Sequence, residues 1–118
     1  MSIPLHDPAW LERMYNNRAL VPDYMDYLQR WAQDSAQVRA NCPCALDLVY
    51  GPEAGETLDV FPATRPGAAL APVLVFIHGG YWRSLDKSDH SFVAPPFTLA
   101  GYCVVVVNYA LCPGTPEH

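Results

Sequence analysis

Residues 73–82 read Val-Leu-Val-Phe-Ile-His-Gly-Gly-Tyr-Trp, an apolar strand run that stops at His78 and turns through two glycines into two aromatics. A glycine pair directly after a strand lets the backbone turn tightly. It also leaves N–H groups unshielded by a Cβ, which suits negative charge developing on an oxygen. The chemistry this pattern fits is acyl transfer. Such a turn works only beside a nucleophile. None of Ser2, Ser35, Ser84, Ser88 or Ser91 lies in a Gly-x-Ser-x-Gly setting between a strand and a helix. Ser84-Leu85-Asp86-Lys87 matches the Ser-x-x-Lys of penicillin-binding enzymes, but the companion Ser-Asp-Asn and Lys-Thr-Gly motifs are absent, so the match is coincidental.

The elements that must position this turn follow from periodicity. Asp7 before Pro8 predicts an N-cap and an N1 proline, opening a short helix through Trp10, Leu11 and Met14 that fades at Asn16 and Asn17. A second helix is predicted from about Asp23, because Tyr24, Leu28, Trp31, Ser35 and Val38 share one face. Ala45 to Tyr50 and Thr57 to Phe61 then alternate around a turn-rich Gly51 to Glu56, predicting a hairpin of two edge strands. Pro62 to Pro72 reads as a surface loop. Val73 to Ile77 and Tyr102 to Tyr109 are apolar on both faces, which predicts a parallel sheet covered on both sides. Residues 78–101 suffice for a crossover helix starting near Asp86 to Asp89. Pro95 and Pro96 would kink or split it and Gly101 would end it.

Composition bounds the function. A chain of 118 residues, 51% hydrophobic, is one small domain with enough apolar chain for a core. A net charge of −5 with seven scattered Lys and Arg argues against a nucleic-acid partner. The N-terminal residues lack the basic start and apolar core of a signal peptide, and no apolar run could span a bilayer, so no membrane partner is expected and the cytoplasm is the expected compartment. Four cysteines without an export signal are expected to be free thiols. Cys42-Pro43-Cys44 would close a strained ring and finds no second ligand pair, so no metal is expected. A nucleotide site at the strand-to-helix turn lacks both Gly-x-Gly-x-x-Gly and a phosphate-binding lysine motif. No cofactor is expected.

Strand, His78-Gly79-Gly80-Tyr81-Trp82, helix, strand and then Asn108-Tyr109-Ala110-Leu111-Cys112-Pro113 resemble the N-terminal part of an α/β-hydrolase, most closely the kynurenine formamidase (arylformamidase) and small carboxylesterase branch. The resemblance also takes in Tyr15-Asn16-Asn17-Arg18, Val21-Pro22-Asp23 and Leu58-Asp59-Val60-Phe61. It implies an α/β fold in which two helices (1–40) precede an edge hairpin and parallel strands with a crossover helix (41–118), all in one incomplete domain. It further implies that the backbone N–H groups of Gly80 and Tyr81 form part of an oxyanion hole, with Gly79 allowing the turn, Trp82 walling the site and His78 orienting the loop. The bland alternative is a tight turn and nothing more. The implied substrate is a small-molecule ester or N-formyl amide. In that family the serine, acid and base follow later in the chain. Residues 1–118 therefore read as the front of a serine hydrolase, or as a non-catalytic remnant or interaction module that keeps the same front. Without a further strand, Val73 to Ile77 is expected to form a long apolar edge that makes the isolated chain poorly soluble.

Overall fold

Asp7 caps the first helix as its neighbours predict: its carboxylate accepts from the Ala9 N–H at 3.1 Å, and Pro8 opens α1 (Pro8–Tyr15). In this computed structural model residues 7–16, 20–65, 70–80 and 85–111 are described. The chain divides into two compact units, Met1–Arg30 and Trp31–His118. In the first, α1 ends at Asn16, whose N–H donates to the Glu12 carbonyl at 2.9 Å. The second helix, α2 (Tyr24–Asn41), runs from the first unit into the second.

The second unit is built on one four-stranded sheet, with β1 (Ala45–Val49), β2 (Thr57–Phe61), β3 (Val73–Ile77) and β4 (Cys103–Val107) in the order β1-β2-β4-β3. β1 and β2 form the predicted antiparallel hairpin, and β3 pairs in parallel with β4 from Val73 opposite Cys103 to Ile77 opposite Val107. Two expectations are corrected. β2 is an interior strand, since it also pairs antiparallel with β4, so the sheet is mixed and only β1 of the hairpin lies at an edge. Among the described residues the sheet is also not covered on both sides, because Val73, Val75 and Ile77 are 61%, 54% and 59% exposed. Continuous apolar sequence marks side chains that favour burial, but it does not supply the layer that buries them.

The opposite face carries the core. Phe61, Val104 and Val106 are fully buried beneath Ala94, with Val38, Cys44, Leu74, Phe76 and Val93 packed around them. Ser35 of α2 is buried, and its hydroxyl accepts from the Phe92 N–H at 3.1 Å. Arg39, in the last turn of α2, donates to the Ser88 carbonyl and, at 3.0 Å, to the Ser91 hydroxyl. α2 is thereby tied to the crossover segment.

That segment is not one kinked helix. It comprises two 3-10 turns, Lys87–Asp89 and Ser91–Val93, followed by α3 (Ala94–Leu99). Pro95 and Pro96 stand in the first turn of α3, where a missing N–H removes no intrahelical bond, so the prolines begin the helix and do not break it. Gly101, at φ +100°, ends it. Its N–H donates to the Thr98 carbonyl at 3.2 Å, and the Tyr102 N–H donates to Phe97 at 3.0 Å.

Candidate active site

His78 and Asn108 are the first residues past the C-terminal ends of β3 and β4. The parallel register brings Ile77 opposite Val107, so the next residue of each strand meets its counterpart. In open α/β sheets ligands bind at this end of the strands, where the chain leaves the sheet and backbone polar groups become available. His78 is buried at 2% exposure, and its Nε2 lies 3.2 Å from Asn108 Oδ1. Asn108 Nδ2 in turn donates to Asp86 Oδ1 at 2.7 Å.

Asp86 occupies this position because it caps the first 3-10 turn. Its carboxylate accepts from the Ser88 N–H at 2.9 Å, while Asp89 reaches back to the Asp86 N–H at 3.2 Å, completing a reciprocal capping box. Burial alone would raise the Asp86 carboxyl. Hydrogen bonds from Ser88 and Asn108 and the charge of Lys87 outweigh it, and the group sits below its ordinary value.

The turn itself is held from the other side by Tyr109. Its hydroxyl lies 2.8 Å from the His78 carbonyl oxygen, 3.2 Å from that of Gly79 and 3.2 Å from His78 Nδ1, and its ring stacks on His78 at 4.4 Å. His78 Nδ1 is 2.7 Å from the Gly79 carbonyl oxygen. A trans peptide carries its C=O and N–H on opposite sides. Holding the Gly79 carbonyl toward His78 and Tyr109 therefore points the Gly80 N–H away from them. Gly80 has φ +116°, a conformation that costs any residue with a Cβ. A Cβ on Gly79 would meet nothing within 4 Å, so Gly80 is the member of the pair whose glycine the turn requires. Tyr81 and Trp82, the other residues assigned to the turn from sequence, lie outside the described residues, as does Ser84.

Two buried clusters flank the turn. His90 is 6% exposed and stacks on His78 at 5.5 Å, with Phe76 and Trp31 at 5.5 and 5.9 Å. Burial and the neighbouring His78 lower its pKa, against partial support from Asp89 and Asp86. Beyond it lies Lys87, whose Nζ contacts Asp59 Oδ1 at 2.9 Å and Asp47 Oδ1 at 2.6 Å. The same Asp59 oxygen accepts from the Asp47 N–H at 2.9 Å, where an extra residue in β1 makes a bulge and Asp47 adopts φ +58°. Sequence reading assigned no role to Asp86, His90, Lys87 or Asp59. The one available signal was Asp86-Lys87-Ser88-Asp89, an acidic cap with a second acid three residues on. Among the described residues no group of His, Cys, Asp and Glu could hold a metal ion, and Cys42, Cys44 and Cys103 are free thiols. No described helix is long and apolar enough to cross a membrane.

The sheet order, the parallel pair and a glycine turn at its C-terminal end define the class: the chain carries part of an α/β-hydrolase fold. Within that class it is similar to formamidases and esterases. Its sequence is 33% identical over 81 residues to the kynurenine formamidase of Salmo salar and 37% identical over 68 residues to that of Danio rerio, matches that take in 69% and 58% of this chain. A solved structure from Silicibacter sp. TM1040, bearing a provisional thioesterase assignment, superposes with a TM-score of 0.79 at 32% identity over 89% of this chain. The chain spans 27% and 23% of the two formamidases and 40% of the Silicibacter protein. No family model matches it.

Proposed function

We propose that this chain supplies the oxyanion-binding turn of a serine hydrolase that cleaves a small-molecule ester or N-formyl amide. The observation that carries this reading is the clamped Gly79 carbonyl. With it facing His78 Nδ1 at 2.7 Å and the Tyr109 hydroxyl at 3.2 Å, the Gly80 N–H is directed away from both at the C-terminal end of the parallel strands. A donor fixed before the reaction needs no reorganisation when the carbonyl oxygen becomes an oxyanion, and one such donor lowers the barrier by about 3 kcal/mol. Gly80 and Tyr81 are the backbone donors in this reading, and Trp82 forms a wall of the site. The similarity to kynurenine formamidases supports the N-formyl amide, and the ester is the nearest chemical alternative because both pass through the same tetrahedral intermediate.

The attacking serine, the acid and the base are not among these 118 residues in any recognisable setting. The test therefore uses the protein expressed from its complete gene, assayed with short p-nitrophenyl esters and with N-formylkynurenine. Hydrolysis of either substrate, abolished by a serine-directed phosphonate, is the expected result. A folded protein that turns over neither one refutes the proposal and favours a non-catalytic role for the fold.

A further inference from the structure

The tip of the β1–β2 hairpin reaches the same end of the sheet as the candidate site. β2 runs antiparallel to β4 with Leu58 opposite Val107, and one step on the Asn108 N–H donates to the Thr57 carbonyl at 2.8 Å, so residues 51–56 lie beyond the C-terminal end of β4. There the tip touches both peptides that flank Tyr109. On one side the Tyr50 hydroxyl donates to the Asn108 carbonyl at 2.5 Å. On the other, Gly55 lies so close that a Cβ added to it would come within 2.9 Å of the Tyr109 carbonyl oxygen, 3.1 Å of Ala110 Cα and 3.2 Å of Ala110 N. These are backbone atoms, which cannot swing aside as a side chain does, so the approach requires glycine. The tip is itself closed by the Tyr50 N–H on the Glu56 carbonyl and the Glu56 N–H on the Glu53 carbonyl, each at 3.0 Å.

From these contacts we infer that Gly55 and Tyr50 are positioning residues: the hairpin tip seats the two peptides flanking Tyr109 and so aims its hydroxyl at the carbonyls of His78 and Gly79. A residue whose flanking peptide planes are both fixed has its φ and ψ fixed, and with them the direction of its side chain. From that seat the Tyr109 ring stacks on His78 at 4.4 Å, and its hydroxyl lies 2.8 Å from the His78 carbonyl oxygen and 3.2 Å from that of Gly79. Both oxygens accept a hydroxyl proton whichever ring nitrogen of His78 is protonated. The inference rests on the proposed oxyanion-binding turn for its purpose and on the contacts of the tip for its content. Gly51, in the same turn, supplies a contrast. The nearest atoms a Cβ there would meet belong to the Glu56 side chain, which can move away.

The experiment follows the Gly80 amide in ¹H–¹⁵N correlation spectra of ¹⁵N-labelled protein expressed from its complete gene, without substrate. That N–H belongs to the peptide whose carbonyl is Gly79's, so its ¹⁵N shift reports the hydrogen bonding of that carbonyl. Tyr109→Phe keeps the ring, removes the hydroxyl and sets the sense of the change. Gly55→Ala is expected to move the Gly80 resonance in the same sense, and Gly51→Ala to leave it in place. An unmoved resonance in Tyr109→Phe or in folded Gly55→Ala, or an equal displacement in Gly51→Ala, overturns the inference. If Gly55→Ala does not fold, Tyr50→Phe, which removes only the bond to Asn108, decides: the Gly80 resonance moves in the Tyr109→Phe sense or the inference falls. These spectra need no turnover, so they stand or fall separately from ester or amide hydrolysis. In protein that does hydrolyse p-nitrophenyl esters, Gly55→Ala is expected to lower kcat about fivefold and leave KM within about twofold, since a misdirected oxyanion donor is felt only in the transition state. Combined with Tyr109→Phe it is expected to lower kcat no further, because the tip then has no hydroxyl to aim. Losses that multiply in the double variant would overturn the route through Tyr109.

Discussion

At the scale of single residues, His90 carries the most testable consequence. It is buried among Trp31, Phe76 and His78, and its Nε2 has no hydrogen-bond partner among the described residues. Such a ring is held neutral: burial and the adjacent His78 disfavour its charged form more than Asp89 and Asp86 favour it. Its folded pKa is thus depressed relative to an unfolded value of 6.5. Above pH 6.5 both states are neutral and the contribution to stability is complete; as pH falls through the lowered folded value the unfolded chain binds a proton first, and stability is lost. The melting temperature is expected to drop between pH 8 and pH 5. His90→Phe keeps the aromatic packing without a titrating nitrogen and is expected to flatten that slope, while also removing an unpaired buried acceptor or donor worth about 1 kcal/mol or more. Melts followed by circular dichroism decide this, and an equal slope in the two proteins would refute it. Gly80 shows what the residue scale made legible from sequence. A glycine pair signals an unusual backbone, yet only the dihedral angles reveal that the second glycine is the constrained one.

Elements meet at Lys87. It belongs to the first 3-10 turn, and its ammonium joins that turn to β2 through Asp59 and to the bulge of β1 through Asp47. The two bonds are unequal. Asp59 is 1% exposed, whereas the Asp47 side chain is 76% exposed, so water competes for the second pair and not for the first. Removing Lys87 would strand a buried carboxylate, and Lys87→Met is expected to cost about 3–5 kcal/mol. Asp47→Asn is expected to cost at most about 1 kcal/mol, as an exposed pair does, and asparagine tolerates the left-handed backbone there. Urea unfolding of the two variants measures both, and equal losses would contradict the assignment of Asp59 as the dominant partner. Burial by itself lowers the Lys87 pKa, but the two carboxylates outweigh it and leave it raised above 10.5. The lysine's own share of that stability is therefore present below that value and lost as pH rises through the raised one. Sequence periodicity located α1, α2, the hairpin and the strands of the parallel pair, because each of these elements is decided by residues close together in the chain. It could not locate this cluster. Alternation in β1 does not distinguish Asp47 from an ordinary strand residue, and nothing local marks Asp59 as buried or pairs Lys87 with a residue 40 positions away. The same limit applied to the site, where the glycine turn and Asn108-Tyr109 were visible as motifs while the bond from Asn108 to Asp86 was not.

For the molecule as a whole, the deciding feature is the face of the sheet opposite the core. Register places Cys103, Val105 and Val107 of β4 beside Val73, Val75 and Ile77 of β3, and Leu58 and Val60 of β2 beside Val107 and Val105. This face is apolar across three adjacent strands, and its β3 side chains are more than half exposed. Among the described residues β3 is also an outer strand, paired with β4 on one side, so its other backbone edge lies next to that apolar surface. A flat apolar face beside an open edge is a template for pairing with another chain, and neither a charge nor a proline within Val73–Ile77 blocks it. The 118-residue chain alone is expected to self-associate at micromolar concentrations, and light scattering after size-exclusion chromatography would show it. Val75 is the place to intervene, because it sits mid-strand and its side chain is largely in water already. Val75→Lys removes little packing, so its cost in stability should stay below about 1 kcal/mol, while the charge opposes a second strand laid against β3. A shift from oligomer to monomer in Val75→Lys, with urea stability nearly unchanged, is the expected pair of results. A wild-type chain that is already a monomer with a sharp cooperative melt would show that the exposed face is not what governs its association.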